Sequence, residues 1–220
     1  MRPLALFDLD DTLVDRRAAF NAWAEEFVTA RGLDDKALTF LILGDAHHSG
    51  PMDRFFAMVC QTFALAEPPE RVWEQYRSRM PELACCRAEN LDALRRLRRA
   101  GWRLGIVTNG MTDNQLGKIR NTGLDALVDA WCISDEVGVR KPDPEVFRLA
   151  ARRCGASPEH GGWMIGDNLV LDIAGGHNAG LRTIWLQPKR RPKSWSFTGP
   201  APDFTVDSVA EAVEVLLERN

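Results

Sequence analysis

The chain has 220 residues, 45% of them hydrophobic, which allows one large domain or two small ones with a sizeable core. Its 28 basic and 31 acidic residues leave a net charge of -3, so charge gives no reason to expect nucleic acid as a partner, and no apolar run approaches the ~20 residues of a membrane span. The five cysteines, Cys60, Cys85, Cys86, Cys132 and Cys154, are odd in number and lack CxxC spacing, which argues against a disulfide framework or a zinc site and points to a reducing cytoplasm.

The chain enters a strand within a few residues, so no signal peptide is expected. Leu4 to Phe7 is an apolar run that reads as a buried strand, with Asp8 at its carboxyl end and Asp10 and Thr12 just beyond. Helical periodicity follows. Phe20, Trp23, Ala24, Phe27 and Val28 mark one apolar face, closed by Gly32. Leu38, Leu41 and Ile42 mark a second helix, expected to end at Gly44. A polar loop is expected from Asp45 to Pro51. Met52, Phe55, Phe56, Val59, Cys60 and Phe63 define a third helix, and Val72, Trp73, Tyr76 and Met80 a fourth. Residues 15–84 therefore read as an all-helical insertion, because strands resume after it.

From about Ala88 helices and strands alternate. A helix through Leu91, Leu94 and Leu97 is closed by Gly101. The strand Arg103 to Val107 runs into Thr108, Asn109 and Gly110, and a helix is expected from Thr112 to Asn121. Ala130 to Ile133 is a short strand. Asp143 and Pro144 supply an N-cap and first-turn pair for a helix through Val146, Phe147, Ala150 and Ala151. The strand Trp163 to Ile165 ends in Gly166 and Asp167, a short helix is expected from Asp172 to Asn178, and Thr183 to Leu186 is another strand. Pro188 to Pro202 reads as loop, Phe204 to Val206 as an edge strand, and Ser208 with Glu211 as a capping box for the last helix. Short buried strands alternating with helices mean βαβ units and a parallel sheet. The expected fold class is α/β, a Rossmann-like doubly wound parallel sheet core (1–14 and 85–220) with an inserted all-helical cap domain (15–84).

Parallel crossovers collect the carboxyl ends of the strands on one edge, where ligands bind. Asp8 and Asp10, Thr108 and Asn109, and Asp167 all fall at such ends, and Lys141 lies in a loop before a helix. Two carboxylates in a small volume bind a hard cation or push their pKa values apart. With a phosphate ester at this edge, Asp8 is placed to attack phosphorus, and Asp10 to act as general acid and then base. Two carboxylates facing an anion repel it, and a divalent cation removes the conflict. Mg2+ suits an all-oxygen site, with Asp167 as a further ligand. Thr108, Asn109 and nearby backbone N–H groups can hold phosphate oxygens, and Lys141 adds a positive point charge. Asp172 is placed to orient Lys141 or a metal-bound water.

The segments FDLDDTL, VTNG, RKPDPEVF and GDNLVLD resemble the four motifs of the haloacid dehalogenase superfamily of hydrolases, in that order and across essentially the whole chain. The resemblance implies a Rossmann-like core with a helical cap inserted after the first strand. It also implies that Asp8 is the nucleophile and a Mg2+ ligand, and that Asp10 is the acid/base with its backbone carbonyl on Mg2+. Thr108 and Lys141 would bind phosphate, Asp167 would bind the metal, and Asp172 matches the second acidic position. The dehalogenases of the superfamily lack the second aspartate of the first motif, so Asp10 favours phosphoryl chemistry. The expected activity is a Mg2+-dependent phosphatase acting on a small phosphorylated metabolite through an aspartyl-phosphate, in a monomer or homodimer. A phosphomutase, a 2-haloacid dehalogenase and a non-catalytic phospho-acceptor module are the alternatives.

Within the insertion, Arg16, Arg17, His47, His48 and Arg54 are candidates for meeting the substrate, although each also reads as an exposed surface residue. The segment Lys189 to Trp195 mixes basic and aromatic residues. One short loop of this kind in an acidic protein does not amount to an RNA-binding surface.

Overall fold

The computed structural model describes residues 2–48, 50–156, 161–187 and 197–219. The basic-aromatic segment Lys189 to Trp195, with most of the loop expected around it, lies outside the described residues. The chain divides into two compact units, one formed by its two ends, through Asp15 and from Cys86 onward, and the other by Arg16–Cys85.

The larger unit is a six-stranded sheet in which every pairing is parallel. Its strands are β1 (Leu4–Phe7), β2 (Arg103–Thr108), β3 (Ala130–Ile133), β4 (Trp163–Gly166), β5 (Arg182–Leu186) and β6 (Phe204–Val206), in the order β3-β2-β1-β4-β5-β6. This is the doubly wound order, in which the chain reverses its winding direction after β3. β1 is central and fully buried, as the continuous run Leu-Ala-Leu-Phe demands of a strand covered on both faces. Register pairs Phe7 with Ile106 on one side and with Ile165 on the other. The ladder continues one step past β1, where the Asp8 N–H donates to Ile165 O at 2.9 Å. The ends of β1, β2 and β4 are thereby brought level.

The helices of this unit are α5 (Ala88–Arg99), α6 (Thr112–Asn121), α7 (Ser134–Val137), α8 (Pro144–Arg153), α9 (Gly175–Asn178) and α10 (Val209–Glu218). α8 packs on β1, β2 and β3 through Val146, Phe147, Ala150 and Ala151. α5 and α10 pack on each other and on the sheet. The Asp143 carboxylate caps α8 by accepting from Glu145 N–H, and Ser208 Oγ caps α10 by accepting from Glu211 N–H. Glu211 reaches back to Asp207 N–H, one residue before the cap itself.

The smaller unit is made of α1 (Arg16–Arg31), α2 (Asp35–His47), α3 (Met52–Thr62) and α4 (Pro69–Leu83). Its core is aromatic. Trp23 meets Phe56 and Tyr76 edge-on, with ring centroids 5.6 Å and 5.1 Å apart, an arrangement that sets positive ring edges against negative faces. Two expectations fail here. α2 does not stop at Gly44 but runs on to His47, so His47 is helical rather than in a loop. The glycine serves packing instead. A Cβ on Gly44 would lie 3.0 Å from Cε2 of buried Phe55, so the bare backbone lets that ring approach.

A third expectation fails in the larger unit. The helix expected to begin at Asp172 is preceded by a wide π-type turn over Leu169–Ala174. Asn168 starts it by accepting from the N–H groups of Val170 and Leu171 at 3.0 Å and 2.9 Å.

Candidate active site

The site is built at the carboxyl ends of β1, β2 and β4, where the winding reverses. Asp8 follows β1 directly and is 7% exposed. Lys141, in the loop before α8, is also buried. Its Nζ donates to Asp8 Oδ1 at 2.5 Å and to Asp172 Oδ1 at 2.7 Å. The second oxygen of Asp172 accepts from Asn168 N–H at 3.0 Å. Asp172 is fully buried, and Gly166 explains how it fits, because a Cβ at that position would overlap the Asp172 carboxylate. Asp167 comes off the end of β4, where its carbonyl accepts from Trp185 Nε1 at 2.8 Å.

Carboxylate oxygens of Asp8, Asp167 and Asp172 lie within 4.8 Å of one another. Lys141 is the ammonium bonded into this group. Three carboxylates against one ammonium leave an excess of negative charge in a buried volume, and the protonation preferences reflect it. Burial pushes the Asp8 carboxyl up to about 7, against the pull of Lys141 and with a further push from Asp172. Burial, then the charges of Asp8 and Asp172, push Asp167 up to about 8. Burial works against the charge on Lys141, but Asp172 and Asp8 outweigh it and hold the ammonium above its usual range. An all-oxygen donor set that is short of positive charge fits a hard divalent cation. Asp8 and Asp167 are the carboxylates with oxygens to spare for one, since Asp172 is already bonded at both of its oxygens.

Asp10 stands apart from that group. It leaves the strand through a tight turn in which Leu13 and Val14 N–H both donate to Leu9 O at 2.9 Å, with Asp11 at a φ of 57°. Its carboxylate accepts from Lys118 Nζ at 2.8 Å and 3.0 Å and from Gln115 Nε2 at 3.0 Å. Gln115 Nε2 also donates to Thr108 Oγ1 at 2.6 Å. Gln115 and Lys118 were not singled out from the sequence. Hydrophobic periodicity passes over them, yet they lie three apart on α6, and both are buried beside Ile119. Polar residues recurring on the inward face of a helix were the available signal.

Asn109 binds the backbone of the lysine loop. Its Nδ2 donates to Lys141 O at 3.0 Å, and its Oδ1 accepts from Lys141 N–H at 2.9 Å. This side chain therefore holds the Lys141 backbone in place through both of its polar atoms. The remaining candidates belong to the helical unit. Arg16 makes a two-pronged pair with Asp45, at 2.8 Å and 2.5 Å. His47 Nδ1 is bonded to Leu43 O at 2.7 Å and His48 Nε2 to Pro51 O at 3.1 Å. Arg17 and Arg54 are exposed.

A doubly wound sheet carrying an aspartate-rich, lysine-bridged site at its switch point defines a class of α/β protein with a site suited to cations and phosphate-like anions. The haloacid dehalogenase-like hydrolase family matches residues 3–180, and the chain belongs to that family. It is 34% identical over 151 residues to the pyrimidine 5'-nucleotidase YjjG of Escherichia coli, covering 69% of this chain and 65% of that one. It is 30% identical over 195 residues to a glyceraldehyde 3-phosphate phosphatase of Methanothermobacter thermautotrophicus, covering 84% and 85%. The chain spans between 44% and 65% of the length of three of the curated relatives it matches, YjjG among them. The fold is shared with the magnesium-bound HAD-hydrolase YfnB of Bacillus subtilis, at a TM-score of 0.80 and 24% identity over 98% of both chains.

Proposed function

We propose that this chain is a Mg2+-dependent phosphatase of small phosphate monoesters that works through an aspartyl-phosphate. The observation that carries the reading is the Lys141 ammonium between Asp8 and Asp172 at the end of the central strand. It orients the Asp8 carboxylate, which supports its reading as the nucleophile, and leaves its second oxygen for a cation. The relatives named for nucleotide and sugar-phosphate hydrolysis support the class of ester.

An Asp8 oxygen attacks phosphorus, an acyl-phosphate bond forms, and the bond from phosphorus to the ester oxygen breaks. Asp10 gives the departing oxygen its proton. Water then attacks the same phosphorus, Asp10 takes the water proton, and the Asp8 carboxylate leaves with phosphate free. Thr108 and Lys141 hold the non-reacting phosphate oxygens. Asn109 keeps Lys141 at its station, and Asp172 keeps its ammonium aimed at Asp8. Asp8 and Asp167, with the Asp10 carbonyl, would hold a Mg2+ ion, and the ion would supply positive charge where the carboxylates otherwise repel the phosphate. The division into a core of 1–14 and 85–220 and a helical cap of 15–84 belongs to the same proposal.

The test is phosphate release from p-nitrophenyl phosphate, sugar phosphates and nucleoside monophosphates with Mg2+, for wild type beside Asp8→Asn. Turnover that vanishes in Asp8→Asn and on chelation is the expected result. Activity in Asp8→Asn above a few per cent would remove the nucleophile from the scheme.

A further inference from the structure

We propose that Gln115 and Lys118 are a positioning clamp that sets where the Asp10 carboxylate and the Thr108 hydroxyl work. The inference rests on the phosphatase reading above and adds two residues to it. Lys118 is 2% exposed. An ammonium that deeply buried is costly unless its donors are met. Its Nζ donates to Asp10 Oδ1 at 2.8 Å, Asp10 Oδ2 at 3.0 Å and Gln115 Oε1 at 2.8 Å. Three donors therefore meet three acceptors.

The bond to Oε1 also fixes which way the Gln115 amide faces. With its oxygen on the ammonium, its nitrogen is turned to Asp10 Oδ2 and to Thr108 Oγ1. Thr108 therefore accepts from Gln115, and its own hydroxyl proton is left to be donated elsewhere. A hydroxyl with that polarity suits a phosphate oxygen. One side chain thus ties the end of β2 to the turn after β1. Room for it comes from Gly110, where φ is +155° and a Cβ would sit 2.8 Å from Gln115 Cγ. The clamp residues touch Asp10 and Thr108 but neither is placed on the reacting atoms, so they are positioning residues. A purely structural role would anchor α6 and slow every substrate alike. A clamp on the proton donor would instead slow the substrates that need the proton.

Wild type, Lys118→Met, Gln115→Met and Asp8→Asn are compared in Mg2+ on phenyl phosphate and p-nitrophenyl phosphate, reading kcat/KM. Nitrophenolate departs with little help from an acid, whereas phenolate needs the proton. Lys118→Met is expected to lower kcat/KM on phenyl phosphate by ~30-fold and on p-nitrophenyl phosphate by under ~3-fold, a part of the ~100- to 10,000-fold that a general acid contributes. If Lys118→Met does not fold, Gln115→Met decides the matter: it also releases Thr108, so both esters are expected to lose rate, phenyl phosphate by ~10-fold more than p-nitrophenyl phosphate. Equal losses on both esters, or no loss on either, would overturn the clamp while leaving the phosphatase intact. A wild type that hydrolyses neither ester would overturn the phosphatase reading and the clamp with it.

Discussion

Lys141 joins two carboxylates that lie far apart in the chain, and most of the site's chemistry hangs on that junction. Substituting Lys141→Met leaves Asp8 and Asp172 facing each other without compensation. Losing one partner of a buried charge group typically destabilises by ~3–5 kcal/mol, and losing a transition-state charge donor costs ~100- to 1,000-fold in turnover. Both losses are expected, the first in a thermal melt and the second in phosphate release. Gly166→Ala reaches the same group from below. The new methyl overlaps the Asp172 carboxylate, so Asp172 must move and Lys141 loses its second partner. The variant is expected to lose at least ~1–3 kcal/mol of stability, the usual cost of overpacking, along with most of its turnover. Wild-type kcat in Gly166→Ala would show that Asp172 is not needed to hold Lys141. At this scale Asp8, Lys141, Asp167 and Asp172 were legible because acidic and basic residues at strand ends are chemically conspicuous. Gln115 and Lys118 were not, because a polar residue on a helix looks exposed until the helix's buried face is known. Asn109 was legible as a strand-end residue, but its use on the Lys141 backbone depends on a loop that comes from another crossover.

Two caps of the same chemical kind separate folding from function at the scale of elements. Ser208 caps α10, remote in sequence from the catalytic motifs, and Asn168 caps the wide turn that carries Asp172. Replacing either by Ala is expected to cost about 1 kcal/mol, the usual value of an N-cap. Only Asn168→Ala is expected to lower kcat as well, because the same turn presents the Asp172 carboxylate and Asn168 N–H is bonded to it. Equal kcat in the two variants would show that the turn tolerates loosening. The strands and most helices were readable from period and end signals. β1 and β3 fall at the residues that the apolar runs mark, and α6 runs from Thr112 to Asn121 as its pattern implies. The misreadings share a cause. Gly44 reads locally as a stop signal, whereas its role is to let Phe55 approach, and the turn at Leu169–Ala174 has a width that no 3.6-residue period describes. Both depend on a tertiary neighbour rather than on the local chain.

For the whole molecule, burying several carboxylates together makes stability depend on pH in an unusual direction. Most folded proteins lose stability on acidification because their paired carboxylates have lowered pKa values. Glu26, Glu67 and Glu214 behave that way, held down by hydrogen bonds from Arg79, Arg31 and Arg96, so what they contribute is lost only at acid pH. Asp8 and Asp167 are raised to about 7 and about 8, from an ordinary 3.8. A raised carboxyl binds its proton more tightly in the folded state, so its contribution is complete below the unfolded value. It is lost as pH rises through the folded one. Lys141 is raised too, and the stability it contributes is lost only above the usual lysine range. Between about pH 5.5 and 8.5 the two aspartates therefore dominate the change, and the Tm of the metal-free protein is expected to fall across that window. A divalent cation competes with those protons for the same oxygens, so Mg2+ should raise Tm more at the alkaline end than at the acid end. Asp167→Asn, which cannot ionise, should flatten the slope and weaken the Mg2+ effect together. Thermal melts in chelator and in Mg2+ at several pH values decide it. A metal-free Tm that climbs with pH, or a Mg2+ shift indifferent to Asp167→Asn, would mean that the buried carboxylates are not held protonated in the absence of a cation.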